Sequence, residues 1–174
     1  MKPEAIDLAD VLERLERLET IREIEQLKYR YWRACDSKDV ATFRDCFVEH
    51  GADIDYGPVG SFNDREGLVE VFATQALAKT PEGNWINNDI HHGKHPAITL
   101  VDKDTAVGRW TFLFIQIQRA DQVVAQSAME YDDRYVVENG EWKIQKSHVI
   151  PLSGMVFPVP AGAVIAPGPQ VAGM

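Results

Sequence analysis

Four side chains have the right types for moving a proton at carbon: Asp36, His91, Tyr31 and Tyr56. Asp36 stands at the end of a long helical pattern, just before Ser37-Lys38-Asp39. His91 closes an alternating segment, Asn87-Asn88-Asp89-Ile90-His91, and is followed by His92-Gly93. If the helix packs on a concave sheet, both side chains reach one cavity. An imidazole beside a buried carboxylate is an oriented general base whose charged form is stabilised. A tyrosine hydroxyl nearby can polarise a carbonyl or donate to a leaving oxygen. Together these groups could take a proton from carbon and help water or another group depart. Each also has a plain structural role open to it. Asp36 suits a cap or turn, His91 a satisfied core or surface position, and the tyrosines ordinary amphipathic packing. His91, His92 and His95 crowd one segment. A metal centre usually needs further carboxylate or thiol ligands in a closed geometry, so neither a metal nor a cofactor is expected.

The elements that must position these residues are legible as two changes of period. Over residues 4–35 a stripe of Leu8, Val11, Leu12, Leu15, Leu18, Ile21, Ile24, Leu27 and Tyr31 recurs mostly every three or four positions, the helical signature. Thr20-x-x-Glu23 has the form of a capping box and predicts a break there, leaving residues 1–19 as a helical extension. Val40–Val48 reads as a second helix and Ala52–Tyr56 as a short strand. Asn63 or Asp64 caps a third helix running to about Ala78. The period then becomes two. Strands are predicted at Ile86–His91, Ala97–Val101, Thr105–Gln118, Gln122–Val137 and Glu141–Ile150, with Asn139-Gly140 as a hairpin turn. Helices first and a long antiparallel meander afterwards define an α+β domain over residues 1–150. Strands this long must twist and bend, and a bent sheet closed by helices makes a cone with an interior cavity. Alternation offers Trp85, Trp110, Phe112, Phe114 and Tyr131 as its walls. As single residues they suit core packing; as a set they suggest an apolar, aromatic substrate.

Composition closes off several classes. A formal net charge of −9 argues against a nucleic-acid partner, which demands clustered Lys and Arg. No Walker loop occurs and no GxGxxG follows a strand. Two cysteines, Cys35 and Cys46, are too few for a disulfide framework and their spacing fits no zinc motif. No apolar run reaches the ~20 residues of a membrane helix, and the charged N-terminus lacks the core of a signal peptide, so a cytoplasmic location is expected. From Ser147 onward there is no Asp, Glu, Lys or Arg. A disordered tail would normally be polar, so residues 151–174 are expected to dock, over the cavity mouth or on a neighbouring subunit.

Short motifs, in order, carry a resemblance. Asp36-Ser37-Lys38-Asp39 followed by Ile54-Asp55-Tyr56 resembles scytalone dehydratase. Lys28-Tyr29-Arg30-Tyr31 ahead of Cys35-Asp36, then His91-His92-Gly93-Lys94-His95-Pro96 and Thr105-Ala106-Val107-Gly108-Arg109-Trp110, resemble the bile acid 7α-dehydratases. Ile90-His91-His92-Gly93 is similar to the hexachlorocyclohexane dehydrochlorinase. All belong to the SnoaL-like branch of the NTF2-like superfamily, and the resemblance spans roughly residues 20–150. It implies that Asp36 and His91 form the dyad that abstracts the proton. Tyr31 matches the active-site tyrosine of the bile acid enzymes, and Tyr56 the polarising tyrosine of scytalone dehydratase. It also implies a cofactor-independent lyase acting on an apolar, aromatic or polycyclic small molecule, with water, halide or formaldehyde leaving. Trp85, Trp110, Phe114, Tyr131 and His95 would be its substrate contacts, and a homo-oligomer, with a trimer favoured, its assembly. The chain departs from the pattern at Phe114, Gln116, Met129, Tyr131 and Pro151, where those enzymes carry polar groups serving the leaving group. An isomerase or cyclase with the same dyad, or a non-catalytic ligand-binding module, would share the other features.

Overall fold

The computed structural model describes residues 7–169. Helix α1 spans Leu8–Ser37 without a break at Thr20. The stripe runs on in phase across Thr20, exposed from Leu8 to Leu18 and buried at Ile24 and Leu27, so the helix continues unbroken and the capping box goes unused. Asp7 caps it, accepting from the Ala9 N–H at 3.0 Å. Its last turn closes at Lys38, which takes a left-handed conformation (φ 64°) and donates its N–H back to the Ala34 and Cys35 carbonyls. Helix α2, Val40–Asp45, starts at once on Asp39, which caps the Thr42 N–H. After strand β1 (Asp53–Asp55), a single 3-10 turn and strand β2 (Ser61–Phe62), Asp64 caps helix α3, Arg65–Ala76.

The remaining strands are long: β3 Asn87–Leu100, β4 Thr105–Gln118, β5 Val123–Glu138 and β6 Glu141–Pro158. They form one six-stranded sheet in the order β2-β1-β6-β5-β4-β3. Strands β3 to β6 are antiparallel as the pattern predicted, but β1 pairs parallel to β6, so the sheet is mixed. The two short strands predicted at Ile86–His91 and Ala97–Val101 are one strand. A bulge between Lys94 and Ala97, with His95 at φ 51°, absorbs Pro96, and the missing N–H is tolerated because β3 is an edge strand. Within β3, Gly93 lies under the Trp32 ring, where any Cβ would collide with the indole.

The concave face packs on α1, α2 and α3. Trp32, Trp110, Tyr131, Phe43 and Phe47 belong to one buried cluster. Strand β6 continues eight residues past Ile150, pairing Pro151–Pro158 with β5, so the first part of the apolar tail extends the sheet. The following segment is pinned across the start of β3. Arg119 donates to the Ile165 and Ala166 carbonyls, Asn88 to Ala166 at 3.0 Å, and the Trp85 indole to Pro169 at 2.8 Å. No helix among the described residues is long and apolar enough to cross a membrane.

Candidate active site

A partly open cavity of about 140 Å³ lies between the sheet and helices α1 to α3. A hole of about that size in a protein interior has room for a benzene ring. Phe43, Leu68, Val71 and Phe72 form its helical wall, Phe114 part of its sheet wall, and Tyr31 and Tyr56 its base.

His91 enters from β3. Its Nδ1 lies 2.6 Å from Asp36 Oδ1, and its backbone N–H donates to both oxygens of the same carboxylate at 3.1 and 3.2 Å. A carboxylate accepts and cannot donate, so the ring proton sits on Nδ1 and the bare Nε2 is left as the basic atom. The ring lies beside Phe114 (centroids 4.9 Å apart) and lines the cavity, whereas Asp36 stands behind it. The outer side of Asp36 borders a shallow cleft between α1 and β3 that is also lined by Arg33 and His92. The side chain of His91 is 12% exposed, that of Asp36 26%. The last turn of α1 and the inward positions of β3 thus bring together two residues far apart in the chain.

Tyr31 and Tyr56 meet at the base, hydroxyl to hydroxyl at 2.9 Å, where either can donate. Tyr56 donates to Ser147 Oγ at 3.2 Å. Burial pushes both phenols well above the usual tyrosine range. They therefore stay protonated and act as donors, not bases. The hydroxyl chain can reverse direction: when Tyr56 donates to Tyr31, the Tyr31 proton is free for a ligand.

The other sequence-derived candidates are dispersed. Phe114 lines the cavity. Trp85 anchors the tail and has Lys79 Nζ 4.2 Å over its ring. Trp110 is buried, donating its indole N–H to Tyr135 at 2.8 Å. Tyr131 lies in the layer below the cavity, stacked on Phe112 at 4.3 Å. His95 sits on the exterior at the β3 bulge, bonded to Thr111 at 2.7 Å. The three clustered histidines diverge because side chains alternate along a strand and the bulge re-aims the third. Among the described residues no group of three or more His, Cys, Asp or Glu is placed to hold a metal ion.

Sequence reasoning missed two buried ion pairs. Lys28 Nζ is 2.7 Å from Asp133 Oδ2, with both side chains fully buried, and 3.4 Å from the centroid of the Tyr131 ring. Desolvation pulls the Lys28 ammonium down, and Asp133 restores part of the shift. Asp133 also accepts from Tyr135 at 2.7 Å, completing a Trp110–Tyr135–Asp133–Lys28 chain beneath the site. A signal existed: Lys28 lies on the stripe of Ile24, Tyr31 and Cys35, and Asp133 alternates in phase with Tyr131 and Tyr135. The second pair joins Lys38 to Asp89, which lines the cavity with Gln116.

The SnoaL-like domain profile matches residues 16–148, and the chain belongs to that family. Its architecture is the α+β cone of the NTF2-like type. No curated protein matches in sequence. Among solved structures, one described provisionally as a scytalone dehydratase from Novosphingobium aromaticivorans superposes with a TM-score of 0.68 at 20% identity, covering 91% of this chain and 97% of that one. A type 2 hexachlorocyclohexane dehydrochlorinase gives 0.73 at 18% identity, over 92% and 99% of the two chains. The type 3 enzyme from Novosphingobium barchaimii gives 0.71 at 18%, over 88% and 98%. These likenesses are of fold.

Proposed function

We propose that this protein is a lyase that uses His91 to remove a proton from carbon in an apolar ring compound and expels a neighbouring group, with no metal or organic cofactor. The observation that carries this reading is the Asp36–His91 contact at the cavity wall. Asp36 fixes the ring tautomer and stabilises the imidazolium formed when Nε2 takes the proton. The electron pair of the broken C–H bond becomes the new double bond as the bond to the leaving group breaks. The leaving group departs with its own pair, and Tyr31 donates a hydrogen bond to it. The apolar helical wall keeps water from the carbanion-like centre. Two of the similar folds bear names that denote loss of hydrogen chloride and of water, both eliminations.

The test is a mass-spectrometric screen of hydroxylated and halogenated ring compounds against protein purified without added metal, with His91→Ala in parallel. A product lighter by water or acid, absent with His91→Ala, supports the lyase and names the leaving group; a loss of formaldehyde would move the abstracted proton from carbon to a hydroxyl oxygen, with the C–C bond pair staying on the product. An unchanged mass with a new chromatographic peak replaces it with an isomerase or cyclase, which needs the same base and an oxyanion donor but no leaving group. Equal behaviour of both proteins across the panel, with ligands still binding, leaves a binding module. Tyr31→Phe is expected to lower kcat about 100-fold, the scale of losing one donor to developing charge. Tyr56→Phe, which removes only the partner hydroxyl, should cost about tenfold or less.

We further infer a homo-oligomer, with a trimer favoured. Leu152, Met155 and Val156 on the end of β6 are each more than half exposed, and Leu8, Val11, Leu12, Leu15 and Leu18 form an uncovered stripe on α1. Apolar area of this kind on one chain marks an association surface. Light scattering after size exclusion should give a trimer mass, lowered by Met155→Glu/Val156→Glu. A wild-type monomer at micromolar concentration would remove the inference.

A further inference from the structure

We propose that Asp89, Gln116 and Lys38 form a second polar station in the cavity that holds a hydroxyl group of the substrate, at a fixed distance from His91. The proposal deepens the lyase reading, since it takes the same cavity as the place of chemistry.

Asn87, Asp89 and His91 are alternate residues on the inner side of β3. In the β3–β4 ladder, His91 stands opposite Phe114, and Asp89 opposite Gln116. The base and the station therefore occupy neighbouring same-face positions, about 7 Å apart along the strand. Asp89 Oδ1 accepts from Gln116 Nε2 at 2.7 Å, and Oδ2 pairs with Lys38 Nζ. Gln116 Oε1 in turn accepts from Gln118 Nε2 at 2.6 Å. That assignment leaves one amide hydrogen of Gln116 and the remaining carboxylate lone pairs of Asp89 available side by side. A hydroxyl matches both, donating to Asp89 while accepting from Gln116. A carboxylate ligand has no proton to give the Asp89 oxygens and could only accept from Gln116. An ammonium gains little, because Lys38 already neutralises that charge.

The fold accepts costs here that packing alone does not require. Lys38 is a non-glycine residue in the left-handed region, and its side chain is fully buried. A buried ion pair seldom stabilises more than an apolar pair of similar volume, yet this one is kept at a cavity wall. The opposite wall, from α3, is mostly apolar: Leu68, Val71, Phe72 and Ala76 line it, with Gln75 as its polar side chain. The substrate class that follows is a small ring compound carrying an alcohol or phenol on one end and the acidic C–H on the other.

The probes are 4-methylphenol and 1,4-dimethylbenzene, which have nearly equal shape and differ by hydroxyl against methyl. Their dissociation constants are measured by NMR titration against wild type, Lys38→Met/Asp89→Leu, Gln116→Leu and His91→Ala. Wild type should prefer the phenol about tenfold or more, the scale of a buried polar pair left unmatched by the wrong ligand. The preference should shrink to within about twofold in Lys38→Met/Asp89→Leu, fall at least threefold in Gln116→Leu, and persist in His91→Ala. The double variant removes both charges together, so no lone buried charge remains. If it does not fold, Gln116→Leu, which keeps the ion pair, decides: an unchanged preference there overturns the station. A wild-type ratio near one, or a preference lost only in His91→Ala, overturns it too, the second by placing the hydroxyl on the dyad. These are binding measurements. Failure of the mass screen would therefore remove the lyase and leave the station standing, while a lost preference with turnover intact would remove the station alone.

Discussion

Replacing His91 with alanine is expected to lower turnover by about 10²–10⁴-fold while the chain stays folded, the usual contribution of a positioned general base. The size follows from the geometry, because among the described residues no other side chain at the cavity wall presents a bare imidazole nitrogen. Asp36→Asn makes the finer test. An asparagine keeps the shape and can still face the His91 backbone N–H only by turning its carbonyl there. Its amide group would then meet Nδ1 and favour the tautomer with the proton on Nε2, which is useless as a base. A loss comparable to that of His91→Ala, with unchanged circular dichroism and unchanged probe binding, is the expected result. If Asp36→Asn keeps most of the activity on the substrate named by the screen, the pair is a structural contact and the base must be sought elsewhere.

Lys28→Met should be strongly destabilising. It leaves Asp133 as a charge with no solvent and no counter-ion, its Oδ1 already without a hydrogen-bond partner among the described residues. Removing one partner of a buried pair costs about 3–5 kcal/mol. For a domain of this size that is a fall of about 6–20 °C in Tm. Lys28→Met/Asp133→Asn should recover most of the loss, because the asparagine oxygen still accepts from Tyr135 and no charge remains. Urea denaturation of the two variants and wild type measures both steps. A single variant within about 1 kcal/mol of wild type would mean that water reaches Asp133. The site would report the damage as well, since the Lys28 ammonium supports the Tyr131 ring that packs edge-on against Tyr31 and Tyr56.

Local pattern determined a large part of this protein. The apolar stripe of α1, the Asp39 and Asp64 caps, the Asn139-Gly140 turn (φ 54° and 80°) and the period-two segments at Thr105–Gln118 and Val123–Glu138 all belong to short stretches of chain. Each is decided by which face of one element is apolar, and that is written in the order of residues. Asp36 and His91 were legible because residue type and motif order pointed to them before any contact was known.

Tertiary structure decided everything that depends on register. Ser147 reaches Tyr56 only because a bulge in the β5–β6 ladder places an extra residue, Gln145, on β6 and moves the inward face from Trp142 and Ile144 to Ser147 and Val149. Without that one residue Ser147 would point outward, since a shift of one position exchanges the two faces of a strand. The β3 bulge likewise separates His95 from His91, and the parallel pairing of β1 with β6 brings Tyr56 to the base of the cone. Phase marked Lys28 and Asp133 as inward-facing, but their pairing, like that of Lys38 with Asp89 and Gln116, was not legible, for a related reason. A buried charge does not name its partner until the strand carrying that partner is laid against the helix. Periodicity specifies a face, whereas a pair needs the alignment of two faces, which only the packed sheet supplies.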